Sequence, residues 1–332
     1  MYFLIGISLL FAYLYAVNLM ASVAAAAVWR AISVRASHWS GETRSNLIFA
    51  LRILPLTAAI IFIAAFILPS YLLFEPASPS ETVGYKLTVI VGIAVFGMVA
   101  ATVRIFASWW RTSRLIVDWM SNSEPVEVGG VSFPAYKLKH QFPVIAVVGV
   151  IRPRIFVAEQ VLAELDEAEL TAAIAHEAGH IHSRDNLKRI AMRICADLLV
   201  FPLGKTLDRV WLESAESAAD EYAATHGGCG SALNLASALV KIGRITPEKK
   251  VWDMPMAAYL IEPDDTSLAT RVDGLLQLAD QTEINSERSR RYPGFLWLIL
   301  VLGGVAALPI VYSNGVLSTV HAMSEALLAA LQ

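Results

Sequence analysis

The sequence predicts a mainly α-helical membrane protein, in which four apolar spans frame one polar α+β domain placed between the third and fourth. Three observations predict it. First, 56% of the 332 residues are hydrophobic and only 17% are charged, which is more apolar than ordinary soluble domains. Second, residues 1–29, 53–74 and 292–320 contain no charged side chain, and 87–103 joins 105–110 across the single Arg104. Third, charge returns between 111 and 291, and with it a strand–strand–helix pattern that starts near Pro143.

A helix needs about 20 apolar residues to cross roughly 30 Å of hydrocarbon. The spans are therefore expected near 3–28, 53–74, 87–108 and 294–313. The first is read as a span and not as a cleaved leader, because no basic residue precedes it and its apolar run is longer than a leader's core. Arg30, Arg35 and Arg44 follow the first span, Arg111 and Arg114 the third, and Arg288, Arg290 and Arg291 precede the fourth. Glu75 and Glu81 follow the second. Lys and Arg collect on the cytoplasmic side. The expectation is a multi-pass protein of the cell (inner) membrane with its N-terminus outside and the polar domain in the cytoplasm. The organisation is then 1–110 for the first three spans, 111–291 for the polar domain, and 292–332 for the fourth span and a short outer tail, with an amphipathic helix over 317–332.

Some functions are excluded early. A net charge of −3 and the absence of a dense basic run give no basis for binding nucleic acid. Cys195 and Cys229 are too few for a disulfide framework and lack metal-ligand spacing. Both read as small apolar residues.

Within the polar domain, 143–149 and 154–157 read as strands, with Ile151-Arg152-Pro153 turning between them. Such a pair next to a helix offers an edge on which an extended peptide could lie. Asp166 and Glu169 have the spacing of an N-cap and its reciprocal N3 partner, so a helix is expected from there to about His182. On that helix stands His176-Glu177-Ala178-Gly179-His180. Histidines at i and i+4 share one face and can grip one Zn²⁺. The Glu177 between them is placed to take a proton from a zinc-bound water. His182, two residues on, faces elsewhere and reads as a surface histidine. The 190–204 stretch reads as a core helix with interfacial contact.

A catalytic zinc needs a third protein ligand. A third histidine six residues after His180 is ruled out, because that position is Asn186. The next acidic helix supplies the candidates. Glu216 and Asp220 are i,i+4 among small residues, so Glu216 could ligate while Asp220 accepts an N–H from a ligand imidazole. Glu213, one turn earlier, is the rival ligand. Asp185 is either a partner of a ligand histidine or a plain turn residue. An oxyanion would need a further donor, and the candidates are Tyr222, His226 and Arg271.

The stretches Gly149–Val157, Ala175–Asn186 and Glu216–Asp220 together resemble the membrane metallopeptidases of the M56 family, the class that includes β-lactam-sensing signal transducers. The layout of three spans before the zinc domain and one after it resembles theirs too. The resemblance implies a zincin-like (gluzincin) metallopeptidase domain, one Zn²⁺ per chain, His176, His180 and Glu216 as its ligands, and Glu177 as general base. The sensor domain of the β-lactam sensors has no counterpart after the fourth span, so β-lactam binding is not implied. The downstream acidic motif also resembles that of M48 peptidases, the runner-up, whose role would be membrane-protein quality control.

The expected function is that of an integral-membrane zinc metalloendopeptidase in regulatory or signalling proteolysis. Its partners would be the bilayer and a protein or peptide substrate, with a cytoplasmic repressor or a membrane protein as candidates. A non-catalytic signalling scaffold is the alternative from a different class. An intramembrane protease is disfavoured by Glu169 and Arg184-Asp185, which flank the motif too closely for a site inside an apolar span.

Overall fold

The computed structural model describes residues 2–75, 84–126, 134–139, 143–197, 205–228, 230–246, 257–259, 265–282 and 314–331. Most of them are helical. Helix α1 runs Tyr2–Ala36. Helix α2, Gly41–Phe62, passes through a π-helical turn, Ile63–Ile67, into α3, Leu68–Phe74. Helix α4 covers Tyr85–Ser121. Pro69 explains the π turn. It has no N–H to give the carbonyl four residues back, and the widened turn preceding it lets the ring pass. The Leu68 amide reaches Ile63, five residues back.

Three segments, Ile5–Ala36, Gly41–Phe74 and Val91–Ser121, are long and apolar enough to cross a membrane. The expected fourth span near 294–313 lies outside the described residues, as does Cys229. The helix expected over 317–332 is present as α11, Asn314–Leu331.

The helices differ from the expected spans at their ends. Arg30 and Arg35 lie within α1, Arg44 and Arg52 within α2, and Arg104, Arg111 and Arg114 within α4. Sequence reading places most of these arginines in loops because charge ends an apolar run. Arginine is a good helix former, so the backbone continues past the hydrocarbon. At about 1.5 Å per residue, the 35 residues of α1 reach roughly 50 Å. The α1–α2 connection is only Ser37-His38-Trp39-Ser40, and the Ser40 side chain caps α2 through the Thr43 amide.

A five-stranded mixed sheet follows: β1 Ser123–Val126, β2 Ala135–Leu138, β3 Ile145–Val148, β4 Arg154–Ala158 and β5 Ala257–Tyr259. Its order is β1-β2-β4-β3-β5. β2 runs parallel to β4, and the other pairs are antiparallel. The expected β3–β4 pair is there, with Val147 opposite Ile155. The expected free edge is not, since β3 carries β5 on its outer side, with Val147 opposite Ala258. A three-residue strand more than a hundred residues downstream gives no periodic signal that sequence reading could use.

The remaining helices are α5 Glu159–Glu164, α6 Glu167–Ser183, α7 Asp185–Asp197, α8 Lys205–His226, α9 Ser231–Ile245 and α10 Asp265–Thr282. One core joins β3 and β4 to α6, α9 and α10 through Ile145, Val147, Ile155, Ile174, Leu235, Leu239 and Leu275. A second core joins the apolar helices to α7 and α8 through Trp29, Ile48, Leu51, Met192 and Trp211. The first turns of α2 therefore belong as much to the polar domain as to the membrane region.

Candidate metal centre

Helix α6 starts as its sequence dictates. Asp166 accepts the Glu169 amide at 2.8 Å, and Glu169 accepts the Asp166 amide at 3.0 Å. Glu169 is buried and also takes Ser237 Oγ at 2.6 Å and Lys241 Nζ at 2.7 Å from α9. Burial alone would raise its pKa, but these donors outweigh burial and hold the carboxyl below its ordinary value. The cap thus also bolts α6 to α9. From Ala172 to His180 the helix is buried without a break, so the two histidines and Glu177 sit away from solvent. The helix ends at Arg184 in the left-handed region, φ 54°, and the chain turns directly into α7 at Asp185.

Helix α8 lies across α6 at close range. A Cβ on Gly179 would come within 3.1 Å of both Ala219 Cα and Tyr222 Cβ, so a larger residue there would push α8 away. This approach brings Glu216 to the histidines. His176 Nε2 is 3.6 Å from Glu216 Oε2, and His180 Nε2 is 3.5 Å from Glu216 Oε1. The two Nε2 atoms face each other at 3.2 Å. Donor atoms of all three residues lie within 4.8 Å of one another.

The other ring nitrogens are engaged. His176 Nδ1 stands 2.9 Å from Asp220 Oδ1, and His180 Nδ1 is 2.8 Å from Asp185 Oδ2. With a carboxylate at each Nδ1, the hydrogen-bond network assigns the proton there and leaves both Nε2 lone pairs pointing into the cluster. Burial works against a charged His176, but Asp220 and Glu216 raise its pKa in net. Glu216 would be raised by burial, and His180, Arg271 and His176 instead hold it far below the carboxylate range.

This arrangement fits a divalent cation. Two imidazole lone pairs and a buried carboxylate converge on one point, and neither Glu216 oxygen accepts a hydrogen bond, although Arg271 Nη1 lies 3.1 Å from Oε2. Arg271 faces only the Oε2 side of the carboxylate; converging buried acceptors are costly, and a cation between them removes that cost.

Glu177 is completely buried, and among the described residues no side chain donates to its carboxylate; the Val147 amide of β3 is the donor that faces it. Burial, reinforced by the Glu216 charge, pushes its pKa up to about 8, while His180 and Arg271 pull the other way.

The rival ligand Glu213 points to solvent, paired with Arg209 at 3.1 Å. The three oxyanion candidates separate. Arg271, on α10, is at the cluster. Its Nη2 is 2.7 Å from Asp220 Oδ1, its Nε 3.0 Å from Asp220 Oδ2, and Nη2 is 3.5 Å from the His176 ring nitrogens. Burial opposes its charge, but Asp220 and Glu216 strengthen it. Tyr222 instead stacks between His182 and His226, at 5.4 and 4.1 Å between ring centroids. Both histidines are exposed, and His226 Nδ1 meets the Tyr222 carbonyl and Thr225 Oγ1.

Sequence reading missed three contacts. The Asn186 side-chain amide donates to the carbonyls of Val147 and Gly149 at 3.3 and 3.0 Å, tying the end of the site to β3. Arg271 forms its two-pronged pair with Asp220, and a lone arginine 51 residues away carries no signal of that. Third, the flank of α8 that faces away from the cluster seats α2. The Gly41 amide donates to Glu221 Oε1 at 2.8 Å, Arg44 Nε to Ser214 Oγ at 2.7 Å, and Arg52 Nε to Asp208 Oδ1 at 2.6 Å. A Cβ on Gly41 would fall 2.4 Å from the Ala218 amide nitrogen.

Residues 143–244 match the family model described as Peptidase family M48. The match spans β3 to α9 and so contains His176, Glu177, His180, Glu216 and Asp220. It supports an M48-type peptidase, the second family in the sequence reading. A comparison with curated protein sequences finds no match.

Proposed function

We propose that the chain is an integral-membrane zinc metalloendopeptidase. The observation that carries this reading is the convergence of His176 Nε2, His180 Nε2 and Glu216 beside a completely buried Glu177 that no side chain among the described residues hydrogen-bonds. His176, His180 and Glu216 would hold one Zn²⁺. Bound there, the metal would supply a Lewis acid and a water acidic enough to ionise near neutral pH.

The rest is the work of the chain's own residues. Asp220 and Asp185 hold the proton on each Nδ1, which keeps both Nε2 atoms as lone-pair donors. Glu177 accepts the proton from the attacking water and returns it to the leaving amine. Arg271 stabilises Glu216 and Asp220 as anions, which makes its role in this reading one of positioning.

The M48 match favours an M48-type role, in which the substrate is a membrane or membrane-associated protein. The M56-like alternative, regulatory cleavage of a cytoplasmic repressor, rests on the layout of spans. For orientation, Arg30, Arg35, Arg44 and Arg52 lie at the end of α1–α2 that carries the peptidase contacts. The excess of arginine at that end supports a cytoplasmic side for it and for a catalytic domain over 111–291.

The test is cleavage of casein by the detergent-purified full chain. Cleavage should stop with a chelator and return with added Zn²⁺. Glu177→Gln should bind zinc as wild type does while cleavage falls by about 10²-fold or more. Cleavage by Glu177→Gln at the wild-type rate would remove this residue from the mechanism.

A further inference from the structure

The far end of the α2–α3 rod carries a second group of converging donors. Glu75 follows the last turn of α3, and α11 brings His321 and Glu325 against it. One donor atom from each of the three lies within 4.8 Å of the others. We propose that Glu75, His321 and Glu325 form a second binding site, for a zinc-class divalent cation, at the end of the apolar helices remote from His176.

The composition of α11 is the first support. Its 18 residues, NGVLSTVHAMSEALLAAL, contain just two ionisable side chains, His321 and Glu325. They are i,i+4 and so share one face, and that face meets Glu75, the first charged residue after the uncharged 53–74 stretch.

The second support is that packing holds together the helices that carry the group. Ser70 Oγ donates to the Leu317 carbonyl at 3.0 Å in a buried contact, and Tyr13 OH lies 3.2 Å from Ser324 Oγ. Val320 packs against the cluster of Ile5, Leu9, Ile67 and Tyr71. Phe74 stacks on the His321 ring, with 5.9 Å between ring centroids and 29° between planes, which limits how the imidazole can turn. All three donors are half-buried.

The donor set chooses the ion class. One imidazole and two carboxylates suit zinc and its neighbours, whereas calcium and magnesium prefer all-oxygen shells. With ligands about 2.1 Å from the metal, tetrahedral donors stand roughly 3.4 Å apart, so small side-chain rotations would close the group. A water would fill the fourth position.

The site is also placed to matter. Gly41–Phe74 is one rod of 34 residues, roughly 50 Å long at helical rise. Its near end is docked on α8, the helix of Glu216. A cation at Glu75 would clamp the far end of that rod to α11.

The experiment counts metal on the detergent-purified full chain, stripped with chelator, re-equilibrated with Zn²⁺ and dialysed. Wild type should retain two zinc ions per chain, and His321→Asn and Glu325→Gln should each retain one. His176→Ala should also retain one, and the combined His176→Ala/His321→Asn variant none. Metal-free His321→Asn should unfold at the same temperature as metal-free wild type, showing that the loss is not a loss of fold. A wild-type count of one that His321→Asn leaves unchanged overturns the proposal. So does displacement of the second ion by millimolar Ca²⁺ or Mg²⁺. The second ion is counted in the His176→Ala background, so it stands or falls separately from the peptidase reading.

Discussion

At the scale of single residues, the centre is built from side chains whose partners fix their state. Asp185 and Asp220 never need to touch a metal, yet each holds one imidazole in orientation. Asp185→Asn or Asp220→Asn should weaken zinc binding by about 10–100-fold, measured by competition with a chromophoric chelator, without unfolding the domain. Unchanged zinc affinity in both variants would show that the rings are oriented by packing alone. Glu169 gives a pH-dependent prediction away from the centre. Its folded pKa lies below the ordinary carboxyl value, so the unfolded chain takes up this proton first as pH falls. The stabilisation is complete above the unfolded pKa of about 4.3 and disappears as pH drops through the lower folded value. Glu169→Gln should therefore flatten the acid limb of the stability curve in chemical denaturation. An acid limb identical to wild type would contradict the assignment.

At the scale of elements, two close helix contacts set the geometry of α8. Gly179 lets α6 approach one flank, and Gly41 lets α2 approach the other. The Cβ of any residue at 41 would overlap the Ala218 backbone, which cannot rotate away. Gly41→Val should displace α2 or α8 and destabilise the protein by about 1–3 kcal/mol, read as a lower melting temperature in detergent. A melting temperature equal to wild type would mean that this contact does not hold the helices. The π turn before Pro69 and the capping box at Asp166 are the reverse kind of element feature. Each is encoded locally, by a missing N–H in one case and a pair of reciprocal acceptors in the other.

At the scale of the whole molecule, the apolar helices and the peptidase-like domain share a core and a set of polar contacts. Arg52 is buried in α2, and its partner Asp208 on α8 is partly exposed. Arg52→Ala should cost roughly 1.5–3 kcal/mol and make the α2–α8 junction more accessible to limited proteolysis. No change in the proteolysis pattern would indicate that the junction is held by Trp29, Ile48 and Trp211 alone.

What the sequence made legible follows from the range of each signal. The first three apolar runs, the Asp166 cap and the i,i+4 pairs at 176/180 and 216/220 are local patterns, and each appears in the structure as an element or a shared face. Whether Glu213 or Glu216 met the histidines depended on which face of α8 turned inward, and the small residues at 215, 218 and 219 were the only hint of it. The partners of Arg271 and Arg52, the β5 strand on the outer side of β3, and the seat of Gly41 on Ala218 depend on tertiary approach. A single chain carries no periodicity for these.

The central claim is that Glu216 completes a metal centre with His176 and His180. The most direct test is the affinity of the His176-dependent zinc in Glu216→Gln and Glu213→Gln, measured side by side by chelator competition on the full chain. The account predicts that Glu213→Gln binds this zinc as wild type does, while Glu216→Gln loses affinity by at least about tenfold, or roughly 1.4 kcal/mol. Equal affinities in the two variants, or the larger loss in Glu213→Gln, would contradict it.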